Sequence, residues 1–335
     1  MDNISHTLAG AALGAAGLRR KTGLGLATLM IAANLPDIDA LGLIFGENLA
    51  WRRGWTHGPV ALVVLPLLLA PIMVLFDRWQ AGRGKRPEGR LPVRFGWVLA
   101  LAYIGILSHP LLDFLNTYGI RLLMPFSHRW FYGDTLFIID LWMWIALGLG
   151  VWLSARRKRQ GRAHVGRPAL IALVLVAGYS AAMGMAGRFA ERTVARELVA
   201  RGQPPLRVLA SPIPVNPFRR RILFEVGGSY GFGDFRWSPS PSFTIEPGLI
   251  PTNMDHPAIA AARRDKPIAD FLYWSRYPFA RIRPIPGGGT EVVISDARYS
   301  GMPGGGSFTV RTLVHGTGQV RAEPPRSPAP ASPQE

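Results

Sequence analysis

A histidine and a carboxylate stand four residues apart near the end of an apolar run that begins at Phe95. His109 and Asp113 belong to the sequence Ser-His-Pro-Leu-Leu-Asp at 108–113. Residues at this spacing share one face of an α-helix, and ionisable groups in a membrane-length apolar segment favour a functional role because they are costly there. Pro110 complicates the pattern, since the residue before a proline avoids the α region. If a helix instead begins at Pro110, the shared face holds only approximately.

Further histidines and carboxylates accompany the other apolar segments. They are His6, Asp37, Asp39 and His57. Asp37 and Asp39 are two residues apart, so a regular helix would point them to different sides. Pro36 allows a break or a new helix start there, with Asn34 as the capping residue. One of the two carboxylates is then free to bind a metal while the other orients a histidine.

These side chains suit a divalent cation. The chain has no cysteine, which excludes disulfides and thiolate ligands. Imidazole and carboxylate bind zinc at about 2.0–2.2 Å, and manganese or a binuclear pair also accepts such a set. The candidate ligands are His6, Asp37, Asp39, His57, His109 and Asp113. Whichever of Asp37 and Asp39 does not bind the metal is expected to orient a ligand or act as a general base.

Arg53 is predicted to bind an anionic group of the substrate, such as a phosphate. Purely structural roles also remain possible for several of these residues. Arg53 lies near Trp55 and also fits an interfacial anchor. His6 also fits an interfacial residue, and Asp37 and Asp39 also fit a helix-start cap and a solvated turn.

The apolar segments predict a mainly α polytopic membrane protein. Hydrophobic residues make up 48% of the chain and the mean hydropathy is +0.16, which is high for a soluble enzyme. Four spans are predicted, at 58–76, 95–115, 136–154 and 168–187. Segments 4–18 and 24–45 are predicted to be two further membrane-associated helices. Asp134 is expected in a loop or as the cap of the third span, with Asp140 deeper inside that span.

Loop charges predict the orientation. The 77–94 and 155–167 loops carry six Arg or Lys residues each and should face the cytoplasm, whereas the 116–135 loop carries two arginines and should lie outside. This orientation places all the candidate ligands at the outer ends of their segments. The net charge of +17 then reflects topology, so nucleic-acid binding is not expected and the lipid bilayer is the expected partner.

The chain changes character after the last span. Residues 1–187 are predicted to form the helical membrane domain and 188–203 an amphipathic connecting helix. Residues 204–322 are rich in Pro and Gly and predict a small β-rich extracytoplasmic domain. Its predicted strands are 221–226, 242–245, 291–294 and 307–314. The end of the chain, 323–335, is predicted to be a disordered tail.

The polar positions together resemble the YdjM-type family of inner-membrane proteins. The resemblance rests on His6 with Gly10, the residues Asn-Leu-Pro-Asp-Ile-Asp at 34–39, Arg53 with Thr56 and His57, the motif at 108–113, Gly119 and Pro125. It covers residues 1–140, and the segment 211–217 resembles the C-terminal part of longer members. The resemblance implies metal-dependent hydrolysis, with the six candidate ligands as the family's polar positions.

Two functions of different classes fit these observations. The first is a metal-dependent hydrolase at the outer membrane face, acting on a phosphoester-type or lipid-linked envelope substrate. The second is a non-catalytic membrane scaffold or stress-response protein in which the polar cluster is structural. A transporter is disfavoured, because transporter sites lie near the bilayer midplane and these residues lie at one face.

Overall fold

The computed structural model describes residues 1–45, 51–286, 288–300, 308–315 and 320–321. The chain divides into two compact units. The first comprises Met1–Gly202, Val208–Ile222 and Gly233–Thr244, and the second comprises Gln203–Arg207, Leu223–Phe232 and Ile245–Glu335. The predicted disordered tail, 323–335, lies outside the described residues.

The first unit is built mainly of helices, which confirms the predicted helical N-terminal part. They are α1 (Asn3–Ala15), α2 (Gly25–Asn34), α3 (Pro59–Gly82), α4 (Phe95–Phe114), α5 (Leu141–Arg159) and α6 (Arg167–Ala200), with 3₁₀ helices at Leu18–Arg20 and Leu35–Phe45. A single helix, α6, covers both the last predicted span and most of the predicted connecting helix.

Three of the described helices are long and apolar enough to cross a membrane. They are α3, α4 and α6. The predicted span 136–154 corresponds to α5, which begins only at Leu141 and carries four basic residues in its last turn. With these charges, the apolar part of α5 is too short for α5 to count among the membrane-length helices. A fourth span therefore stays a prediction.

The start of α5 corrects the expectation about Asp140 and decides between the two alternatives for Asp134. Asp140 does not lie inside the helix but is its N-cap, and its carboxylate accepts a hydrogen bond from Met143 N at 2.9 Å. The second carboxylate oxygen accepts from the Tyr179 hydroxyl at 3.0 Å. Asp134 is therefore a loop residue and not the cap. An aspartate at this place satisfies an amide that the helix leaves unpaired.

Helix α4 runs through Pro110 without a break, so the expectation of a helix start there is wrong. A proline removes one amide donor from the helix ladder, but helices in membranes tolerate this when nearby side chains satisfy the freed backbone. As a result His109 and Asp113 do share one face, with Nε2 and Oδ2 3.5 Å apart.

Asn34 also differs from its predicted role. The 3₁₀ helix Leu35–Phe45 follows α2 directly. The side-chain amide of Asn34 donates to the Met30 carbonyl at 2.9 Å and to the Thr7 hydroxyl at 3.0 Å. A capping side chain accepts a hydrogen bond, whereas this one donates two, so Asn34 fastens α2 to α1.

Helices α1 and α4 both approach the backbone of α2 closely, through glycines. A Cβ at Gly10 of α1 would lie 2.7 Å from the Leu29 carbonyl oxygen. A Cβ at Gly105 of α4 would lie 2.9 Å from the same oxygen and 2.6 Å from the Ala32 Cβ. These contacts fix the spacing between α2 and α4, which carry or flank several candidate ligands.

We expect Gly105→Ala to destabilise the protein by about 1–3 kcal/mol, because the added methyl overpacks the α2–α4 contact. The measurement is unfolding in detergent, followed by circular dichroism. Gly96→Ala in the same helix is the control, since no described atom outside its own helix lies within 4 Å of that Cβ. The control should be neutral or stabilising by up to about 1 kcal/mol. Equal effects of the two changes would contradict the close contact.

A C-terminal β-sheet region is present, as predicted. Its strands are β1 (Arg207–Pro212), β2 (Arg219–Val226), β3 (Ser229–Arg236), β4 (Ser242–Ile245), β5 (Ile250–Pro251), β6 (Pro278–Ile285), β7 (Gly289–Asp296), β8 (Thr309–His315) and β9 (Val320–Arg321). One sheet has the order β1-β2-β3-β4 with β5 on β3, and the other has the order β6-β7-β8-β9. The four predicted strands coincide with or overlap β2, β4, β7 and β8.

The second unit also contains two helices that the sequence analysis did not predict, α7 (Pro257–Ala262) and α8 (Lys266–Trp274). Its core includes a buried ion pair in which the Arg298 guanidinium donates to Asp296 at 2.8 Å. Burial alone would raise the pKa of Asp296, but Arg298 and the Ser275 hydroxyl lower it on balance. Trp274 stacks on Tyr299 with ring centroids 5.8 Å apart.

Candidate metal centre

Four predicted ligands meet inside the first unit. Asp37, His57, His109 and Asp113 each offer one ligand atom, and these atoms lie within 4.8 Å of one another. Asp37 comes from the 3₁₀ helix after α2, His57 from the turn before α3, and the other two from the end of α4. The two histidines and Asp113 are fully buried, and Asp37 is 7% exposed.

The distances fit one small ion. The Nε2 atoms of His57 and His109 are 3.0 Å apart. Asp113 Oδ2 lies 3.3 Å from the first and 3.5 Å from the second, and Asp37 Oδ1 lies 3.8 Å from His109 Nε2. Ligands placed tetrahedrally about 2.0 Å from an ion are about 3.3 Å from each other. The separations among His57, His109 and Asp113 are close to that geometry, whereas Asp37 lies 3.8 Å from His109 and the four atoms span up to 4.8 Å.

In each histidine, the contact made by Nδ1 leaves Nε2 facing the centre. His109 Nδ1 lies 2.7 Å from the Ala33 carbonyl oxygen, which can only accept, so Nδ1 carries the proton and Nε2 offers its lone pair. His57 Nδ1 lies 2.9 Å from the Thr56 hydroxyl and 3.4 Å from Asp39 Oδ2. Burial lowers the pKa of His57, although Asp113 opposes this shift. A neutral imidazole is the form that binds a metal.

Several buried acceptors in the group lack hydrogen bonds. Asp37 Oδ2 and Asp113 Oδ2 have no hydrogen-bond partner among the residues that the structure describes, and Asp37 Oδ1 has an ion-pair contact with Arg52 but no hydrogen bond there. Buried polar atoms are usually paired, and exceptions call for an explanation such as an ion. Two imidazoles and two carboxylates form a donor set that fits a divalent cation, including zinc and manganese.

Asp39 contacts the group from outside. Its Oδ2 lies near His57 Nδ1 and accepts from the Arg53 amide at 2.5 Å. Arg52 joins the two aspartates, because its Nη1 lies 3.1 Å from Asp37 Oδ1 and 2.6 Å from Asp39 Oδ1. Asp37 belongs to the four-residue group and Asp39 contacts it from outside, and the division of roles between the two carboxylates stays a prediction. Arg52 had no predicted role in linking them.

His6 lies against the group as well. Its ring stacks on that of His109 with centroids 3.8 Å apart, and its Nε2 is 3.3 Å from Asp113 Oδ1. The amino group of Met1 also donates to Asp113. His6 is close to the centre without belonging to the four-residue group, and its role as a ligand stays a prediction.

Arg53 is buried and turned towards Asp113. Only 3% of the residue is exposed, and Nη2 lies 3.1 Å from Asp113 Oδ1. Nη1 donates to Asn116 Oδ1 at 3.0 Å and to the Gly119 carbonyl at 3.2 Å. The sequence analysis missed Asn116, whose only signal is its position three residues after Asp113. Binding of a substrate anion by Arg53 stays a prediction.

We expect Asp39→Asn to weaken metal binding by about 10–100-fold without abolishing it, because Asp39 orients His57 and does not belong to the four-residue group. Metal titration of the purified protein measures this. Asp77→Asn is a matched control, since Asp77 is also a buried carboxylate with arginine partners, Arg86 and Arg90, but belongs to α3. A change of the same size in the control would contradict a specific role for Asp39.

Three membrane-length apolar helices and a buried His/Asp group define a helical membrane protein with a candidate metal centre. The profile of the family described as YdjM inner membrane protein matches residues 1–187, more than half of the chain. The chain therefore belongs to this family, as its polar positions predicted. No curated protein and no solved structure matches the chain.

Proposed function

We propose that the protein is a membrane-bound, metal-dependent hydrolase acting at the outer membrane face on a phosphoester-type or lipid-linked envelope substrate. The observation that carries the proposal is the convergence of three ligand atoms. His57 Nε2 and His109 Nε2 approach to 3.0 Å, and Asp113 Oδ2 lies within 3.5 Å of both. Family membership adds the location in an inner membrane.

Each residue of the centre has its own role in the proposed reaction. His57, His109, Asp113 and Asp37 would hold a divalent cation, with the Ala33 carbonyl fixing the ring of His109. Such a cation lowers the pKa of water to about 7 and polarises a phosphoryl oxygen. Asp37 has two oxygens without hydrogen bonds among the described residues, so one of them can accept the proton of the attacking water. The bond from phosphorus to the leaving oxygen then breaks, and that oxygen takes up a proton.

The test is metal analysis followed by an ester hydrolysis assay in detergent. We expect about one or two divalent ions per chain, and hydrolysis that a chelator abolishes and the same ion restores. Protein that retains its metal but hydrolyses neither phosphomonoesters nor phosphodiesters would contradict the proposal.

One observation favours the non-catalytic alternative. Three members of the group are fully buried and four protein residues surround the centre, as in structural zinc sites, which are closed. Cobalt substitution separates the two functions. A spectrum that changes when inorganic phosphate is added indicates an open position and supports the hydrolase, whereas an unchanged spectrum supports a structural centre.

The outer location is testable through topology. Reporter fusions after Lys85 and Gln160 should be cytoplasmic, because these loops are rich in arginine and lysine. Fusions after Pro125 and Ile250 should be external. A cytoplasmic reporter after Pro125 would contradict a centre at the outer face, since His57, His109 and Asp113 lie at that end of α3 and α4.

A further inference from the structure

A groove on the first unit leads to the metal centre. It has a volume of about 510 Å³ and is lined by residues of α1, α2 and the following 3₁₀ helix. Met30, Ile31, Leu35 and Ile38 make its walls largely apolar. Ile31 and Ile38 are 44% and 49% exposed, so the groove is open to its surroundings.

Asp37 joins this groove to the four-residue group. It lines the groove, and its Oδ1 lies 3.8 Å from His109 Nε2. The side chain is 5% exposed, and neither of its oxygens has a hydrogen-bond partner among the described residues. His57, His109 and Asp113 are fully buried. A ligand in the groove therefore meets the group at Asp37.

The lining indicates the chemistry of the ligand. Apolar walls suit a hydrocarbon chain. Arg52 does not line the groove, but its guanidinium lies 3.1 Å from Asp37 Oδ1 and keeps 21% of its side chain exposed. A guanidinium binds phosphate oxygens well. The combination fits a molecule with a long apolar chain and an anionic end.

We infer that this groove binds the apolar chain of a long-chain phosphoester and places its phosphate beside Asp37. The inference rests on the proposed function for what happens to the phosphate, and it specifies the substrate class. Binding of the chain is a separate event from hydrolysis, so the two can be tested apart.

The absence of cysteine from the sequence allows the groove to be probed with single thiols. Ile31→Cys and Ile38→Cys report on the groove, and Ile139→Cys is the control because Ile139 is also 49% exposed but does not line the groove. Each variant is placed in nanodiscs with its metal and labelled with a maleimide. The labelling rate is measured alone, with hexadecyl phosphate, and with butyl phosphate.

Hexadecyl phosphate should slow labelling of Ile31→Cys and Ile38→Cys by about tenfold when present at about ten times its dissociation constant, since mass action sets the free fraction. Butyl phosphate has the same anionic end without the chain and should protect neither. Labelling of Ile139→Cys should not change. No protection by hexadecyl phosphate, or equal slowing of all three variants, would overturn the inference.

This outcome is distinguishable from a failure of the hydrolase proposal. Protection of the thiols does not require turnover. If the protein binds hexadecyl phosphate in the groove without hydrolysing it, only the catalytic proposal is contradicted. If the protein hydrolyses butyl phosphate while hexadecyl phosphate protects neither thiol, only the inference about the groove is contradicted.

Discussion

Replacing His109 by alanine should remove most of the bound metal from the purified protein. The change deletes an Nε2 that lies within 3.8 Å of three other ligand atoms. The loss should exceed the roughly 10–100-fold effect of removing an outer contact to a ligand. Membrane insertion should stay intact, because apolar length and loop charge set it and the change makes α4 less polar. Elemental analysis and carbonate extraction measure the two properties.

His164→Ala is the matched control, since His164 is an exposed histidine outside the group and its loss should leave metal content unchanged. Asp113→Asn tests the second ligand of α4 at constant volume and should weaken metal binding by about 10–100-fold or more. Unchanged metal content in both His109→Ala and Asp113→Asn would contradict a metal centre at this place.

Replacing Arg53 by glutamine should destabilise the metal-free protein by about 3–5 kcal/mol, as removal of one partner of a buried ion pair does. Arg53 and Asp113 are both buried, with Nη2 and Oδ1 3.1 Å apart. The change leaves the Asp113 charge without this partner and leaves the Gly119 carbonyl without its donor. Unfolding in detergent with a chelator present measures the effect.

A bound cation also neutralises Asp113, so the cost of Arg53→Gln should shrink when metal is added back. Arg162→Gln, at an exposed arginine, should change stability by no more than about 0.5 kcal/mol in either condition. If Arg53→Gln lowers stability no more than Arg162→Gln in the metal-free protein, the buried pair does not support the centre.

The meeting of His57, His109 and Asp113 could be anticipated because loop charges alone place them at one end of antiparallel spans. Their contact distances could not be derived, since these depend on how closely the helices pack. The contacts of Arg53 could not be derived for the same reason. A sequence shows an arginine near a histidine, but only the packed structure shows that the Asp113 carboxylate, and not solvent, faces it.

Local rules were less reliable where tertiary contacts overrode them. His109 precedes Pro110 and should therefore prefer extended backbone, but it is helical because the packed helix α4 continues to Phe114. The strand predictions near 221–226 and 291–294 held because turn residues bound them. The helix Lys266–Trp274 was missed, since its apolar residues were taken as part of a β-rich region.

The close approach of α4 to α2 at Gly105 also bears on which ions the protein can select. Gly105 lies one turn before His109, and the His109 ring is fastened to Ala33, the residue after Ala32. Calcium needs bonds of about 2.3–2.6 Å and six to eight oxygen ligands, so a centre with two imidazoles held against close-packed helices would favour smaller ions such as zinc or manganese.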